Sequence, residues 1–154
     1  MTTPRQRLPV TFNLRSMSWS AQDLERQAPE LPAMILTREF VTRTVESALL
    51  RIPLPVALLS RDPGAQRWLV RSGGSTLAAL QEFMRQDSEA RLAVCEFALP
   101  DSLEGATFAE LPGRVRLRIR ETPLRLYEVP LAIPDAVVVS LSRRMNGSLG
   151  GETA

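Results

Sequence analysis

Pro55-Val-Ala-Leu-Leu-Ser60 constrains the fold of this chain more than any other stretch. A continuous apolar run of this kind suits a strand covered on both faces, because a strand with one wet face alternates apolar with polar residues. Asp62-Pro-Gly64 reads as a turn, and Gln66 to Arg71 reads as the returning strand. The two are expected to pair as a hairpin. The second strand then runs through Leu69-Val-Arg-Ser-Gly-Gly-Ser-Thr-Leu-Ala-Ala-Leu80, where two glycines lead into a helix.

Other segments show helical spacing. From Arg38 to Arg51, Val41, Val45, Ala48, Leu49 and Ile52 recur at intervals of three and four. Thr76 to Arg85 repeats the pattern, with Leu77, Leu80, Phe83 and Met84 on its inner side. Pro134-Asp135 opens a last helix through Ala136, Val137, Leu141 and Met145. Ser20-Ala-Gln-Asp23 looks like a helix start, with Ser20 as N-cap and Asp23 in the first turn. Thr107-Phe-Ala-Glu110 has the spacing of a capping box. Phe12 to Ser18, Leu92 to Leu99 and Leu124 to Val129 read as further strands.

Gly113-Arg-Val-Arg-Leu-Arg-Ile-Arg120 supports two readings. Strict alternation makes it a strand with Val115, Leu117 and Ile119 inside and four arginines outside. A helix starting near Pro112 scatters those arginines around its surface. Helices and strands interleave irregularly, which points to an α+β domain. A length of 154 residues suits one such domain with a real core. Residues 1–11 read as an arm, 12–146 as the domain, and 147–154 as a flexible tail.

Composition narrows the chemistry. Histidine is absent, which excludes a Ser-His-Asp triad, a Cys-His dyad and a His-ligated zinc site within this chain. Cys95 is the one cysteine, and in the apolar run LAVCEFAL it reads as a buried thiol. No metal site is evident. All 19 basic residues are arginine, the better residue for bidentate phosphate contacts, but a net charge of +2 implies no nucleic-acid partner by itself. No run approaches the roughly 18 apolar residues of a membrane span, and the start lacks a secretory h-region. The expected protein is cytoplasmic, with no membrane partner. Trp19 and Trp68 read as core or rim residues, and Glu39 and Glu46 as an exposed helix face that could instead line a cleft.

Ser72-Gly-Gly-Ser-Thr76 offers small residues, backbone amides and the positive end of a helix, the ingredients of an anion site. It lacks the GK[ST] of a Walker A loop. Alone, it also reads as a tight turn with Ser75 or Thr76 as N-cap.

The order of segments resembles the N-terminal domain of GmrSD-type modification-dependent restriction endonucleases. Val45-Glu-Ser-Ala-Leu-Leu-Arg-Ile-Pro-Leu-Pro55 is similar to that family's IESLLLGIPLP segment. FNLRSMSWSAQDLERQ resembles its opening, and Thr37-Arg-Glu-Phe-Val-Thr42 its QR-x-x-V-W motif. Gly105-Ala-Thr-Phe-Ala-Glu-Leu-Pro112 resembles its G-x-T-F-x-x-LP box, and Arg143-Arg-Met-Asn-Gly147 its F-x-RLN-x-G element. The resemblance implies a single domain of ParB/sulfiredoxin-like fold, with a small mixed sheet and flanking helices. It also implies a nucleoside triphosphate as cofactor, bound and hydrolysed at the family's DGQQRL motif.

By that resemblance the nucleotide or anion site comprises Arg38, Ser72, Gly73, Gly74, Ser75, Thr76, Arg144 and Asn146. Only the glycine of DGQQR is matched, by Gly73. The acid that could orient water or a metal is Ser72, and the arginine that could neutralise phosphate is Thr76. The expectation is a degenerate, non-catalytic module for nucleotide or partner binding, related to DNA restriction and phage defence. Its partner would be an intact paralogue or a nuclease subunit. One alternative is an active nucleotide-hydrolysing subunit. Another is a nucleic-acid-binding module using Arg114, Arg116, Arg118 and Arg120, with Arg125 beside them.

Overall fold

In a computed structural model, residues 13–92 and 103–147 are described. The apolar run becomes β2 (Ala57–Asp62), and its side chains divide between two cores. Ala57 and Leu59 face one core, while Leu58 faces the other with Val56. All four are 1% exposed or less, so the two-faced burial expected of this run is present.

Asp62 closes the hairpin by accepting from the Gly64 and Ala65 amides at 3.0 and 3.3 Å. β3 (Arg67–Ser72) returns antiparallel to β2. On its other side β2 pairs in parallel with β4 (Leu126–Glu128), setting Ala57 opposite Leu126. β1 (Arg15–Met17) pairs antiparallel with β4, giving the order β1-β4-β2-β3. Beyond β3, Glu30 donates to the Trp68 carbonyl at 2.8 Å and accepts from the Val70 amide at 3.0 Å, covering part of that edge.

α1 (Asp23–Gln27), α2 (Arg38–Leu49), α3 (Gly74–Met84) and α4 (Gly113–Arg120) cover one face. α5 (Asp135–Met145) covers the other. The fold is therefore α+β, a small mixed sheet with flanking helices. Thr37 caps α2 by accepting the Phe40 amide at 3.1 Å. The larger core holds Leu24, Leu80, Phe83, Leu92, Ile119 and Leu126, each essentially sealed from water. Full burial of one such side chain contributes about 1.5–3 kcal/mol. Val138 of α5 meets Val56, Leu58 and Val129 in the smaller core.

Several local expectations change. α1 starts at Asp23 after Gln22, not at a Ser20 cap; instead, the Ser20 amide donates to Asp23 at 2.8 Å. Residues 113–120 are helical, with Ile119 buried against the α2 side of the core and Leu117 half exposed. Thr107 stands at the N-cap position of a short 3₁₀ turn at Phe108–Glu110, but its side chain accepts no amide there. Its hydroxyl donates to the Glu110 carboxylate at 3.0 Å. Glu46 is buried, whereas Glu39 stays exposed in an ion pair with Arg43 at 2.8 Å. Trp19 and Trp68 are half-buried and meet edge to face at 5.7 Å, forming a rim to the core. The arm, Cys95, most of the 92–99 strand and the tail beyond Gly147 lie outside the described residues. No described helix is long and apolar enough to cross a membrane.

Candidate functional site

The glycine turn joins β3 to α3 in a single step. Ser72 ends the strand, Gly73 takes φ +77°, and Gly74 is already helical. No side chain caps α3, so the Ser75 or Thr76 cap expected from sequence is replaced by Gly73 at the cap position. Ser75 is exposed on the first turn, and Thr76 is turned inward.

Packing accounts for Gly73. A Cβ on Gly73 would stand 2.7 Å from the Val56 carbonyl oxygen and 2.8 Å from the Ala57 Cα. These are backbone atoms of the neighbouring strand segment and cannot swing aside. A Cβ on Gly74 would meet only side-chain ends, Met34 Cε and Val70 Cγ1, at 3.3 Å, a contact that a small shift relieves.

Asn146 converges on the same place from the far end of the chain. Its Oδ1 accepts from the Val56 amide at 2.7 Å, and its Nδ2 donates to the Val56 carbonyl at 3.3 Å. That carbonyl is the one pressed against Gly73. Two residues nominated from separate motifs therefore meet at Val56. Their polar and steric capacity goes into joining β3, α3 and α5 to the start of β2.

The remaining nominated residues do not join them. Arg38 lies exposed at the start of α2 and lines a cleft with Met34, Leu36, Glu82 and Arg85, which includes no residue of 72–76. Arg144 is exposed on α5, and no ion pair to it is formed among the described residues. The turn itself contains no carboxylate and no arginine. Among the described residues there is no cluster of His, Cys, Asp or Glu that could hold a metal ion.

No family model, curated protein or solved structure matches this chain.

Sequence reasoning missed Arg71, the residue before the turn. Its guanidinium is only 10% exposed. It donates to Ser60 Oγ at 2.9 Å, to the Leu131 carbonyl at 3.3 Å, to the Ile133 carbonyl, and to Asp135 at 3.0 Å. Ser60 in turn donates to the Val129 carbonyl at 2.7 Å. This network ties β3 to the loop that launches α5. Its acceptors are mostly backbone carbonyls, which leave no signature in sequence.

The arginines of 114–120 are divided by the helix. Arg118 lines a cleft of about 430 Å³ with Arg51 and Arg125. Arg116 and Arg120 line a different cleft with Glu25, Glu82 and Arg85, and Arg120 lies 5.1 Å from the centre of the Phe108 ring. Arg114 is exposed. The four do not form the single outward row that a strand would have given.

Proposed function

We propose that this chain is a non-catalytic binding or regulatory module, a degenerate relative of the GmrSD N-terminal domain that acts in the cytoplasm through a protein partner in DNA restriction. The observation that carries the reading is the convergence of Gly73 and Asn146 on Val56. In a working phosphate cradle, the turn's backbone approaches a ligand and nearby charge balances it. Here the turn's Cα approaches a strand carbonyl, the asparagine amide holds that strand, and Ser72 and Thr76 supply neither acid nor cation. Arg38 lies in another cleft. Residues 72–76 therefore supply neither a carboxylate to orient water nor a cation to stabilise developing phosphate charge.

Calorimetric titration and thermal shift with ATP, GTP, CTP and UTP test the reading. The expected result is no hydrolysis of any of the four, and no nucleotide affinity that Gly74→Val or Arg38→Ala weakens. Turnover of a nucleotide by the purified chain, abolished by either substitution, overturns it. An intact paralogue or nuclease subunit encoded beside this chain is the expected partner, and co-purification of the two supports the assembly.

A further inference from the structure

α2 ends in a way that its sequence makes costly. The Ile52 amide donates to the Ser47 carbonyl at 2.9 Å and the Arg51 amide to Ala48 at 3.2 Å, the paired bonds of a Schellman ending. The residue between them must adopt the left-handed conformation, where glycine is the usual occupant. Here it is Arg51, at φ +58°. Its guanidinium makes no hydrogen bond or ion pair among the described residues.

Arg51 lines the cleft of about 430 Å³ with Arg118 of α4 and Arg125, just before β4. Neither of these has an ion pair among the described residues, although Glu121 stands on the same rim. Ile52, Pro53 and Pro123 supply apolar lining, and Ile52 is 42% exposed. Thr122 is not available as a donor to a phosphate, because its hydroxyl already donates to the Arg118 carbonyl at 3.2 Å. The volume falls within the range of about 300–1,000 Å³ typical of small-molecule sites. Guanidinium forks suit phosphate oxygens, and the rim's excess of positive charge matches a phosphate carrying about −1.5 to −2.

We propose that this cleft binds a small phosphomonoester with an apolar or aromatic body, its phosphate held by Arg51, Arg118 and Arg125 and its body laid on Ile52 and the prolines. The site is separate from the glycine turn and does not depend on any family reading. Arg51 keeps an unfavourable backbone conformation because glycine there would remove one of the phosphate contacts.

Calorimetric titration of the full chain with phenyl phosphate, inorganic phosphate and benzyl alcohol tests this at low salt. Phenyl phosphate is expected to saturate, inorganic phosphate to bind at least about tenfold more weakly, and benzyl alcohol not to saturate. Arg118→Gln/Arg125→Gln should weaken phenyl phosphate by about tenfold or more, and Arg51→Gly should weaken it while the protein melts no lower. Three results overturn the proposal: no saturation by phenyl phosphate up to about 10 mM, unchanged affinity in the double variant, or equal binding of inorganic phosphate. If the arginines only complement the helix ends, the double variant melts lower and nothing saturates. Binding of a single-stranded oligonucleotide alone, with a steep salt slope, would instead assign the cleft to a nucleic-acid backbone.

Discussion

Gly73→Ala separates a glycine kept for packing from one kept for a ligand. Two penalties act at this position. A non-glycine residue at φ +77° incurs the left-handed cost, about 1–2 kcal/mol. The new Cβ also meets the Val56 oxygen and the Ala57 Cα at 2.7 and 2.8 Å, distances at which backbone must move. Forced overpacking of this kind costs about 1–3 kcal/mol. The expected loss is therefore about 2–5 kcal/mol.

Gly105→Ala is the internal control. Gly105 has nearly the same φ, +74°, but its Cβ would meet nothing within 4 Å among the described residues. It should lose only the conformational share, about 1–2 kcal/mol. Urea unfolding, followed by fluorescence of Trp19 and Trp68, measures both variants. With a slope of about 2 kcal/mol per molar, the Gly73→Ala midpoint should fall by about 1–2.5 M and the Gly105→Ala midpoint by at most about 1 M. Equal losses would refute the packing argument, since the β3–α3 junction would then have given way around the added methyl. A phosphate-cradle role would appear as lost nucleotide affinity with little excess loss of stability over Gly105→Ala.

Asn146→Ala leaves the Val56 amide without its acceptor, so urea unfolding should show a loss of about 1–3 kcal/mol despite the exposed position of residue 146. Arg71→Met and Asp135→Asn should differ sharply in the same assay. The buried arginine serves several carbonyls and should cost about 2–4 kcal/mol, whereas the 92% exposed carboxylate should cost less than about 0.5 kcal/mol. Arg51→Gly should raise stability by about 1 kcal/mol, read as a higher melting temperature.

Local periodicity predicts α2, the β2–β3 hairpin, α3 and α5 because their apolar spacing and their Pro, Gly and Asp punctuation agree. It leaves 113–120 open because the arginine–apolar alternation satisfies the strand pattern while Pro112 permits a helix start. Tertiary burial decides it: α4 places Ile119 in the core while leaving Leu117 half exposed, a division that strict alternation forbids. The parallel pairing of β2 with β4 is absent from any local pattern, because more than sixty residues separate Ala57 from its partner Leu126. The errors at Ser20 and Thr107 share one cause. A hydroxyl three residues before an acid marks a possible cap, but the amides in question donate to backbone carbonyls instead: Asp23 to Ser20 and Glu110 to Thr107, each at 3.0 Å.

The candidate site was legible in part, for a reason that bears on its meaning. Gly73 and Asn146 stand out as motif residues, yet each is explained by what the fold needs at Val56. A residue that is also the best choice for packing carries no separate evidence of a ligand. Arg51 is the opposite case. Glycine would serve the end of α2 better, and the arginine returns no hydrogen bond or ion pair among the described residues. Strain without a structural return points to function more strongly than conformity does. By that criterion the chemistry of this chain is to be sought first in the arginine-rimmed cleft between α2, α4 and β4, and only second at the glycine turn.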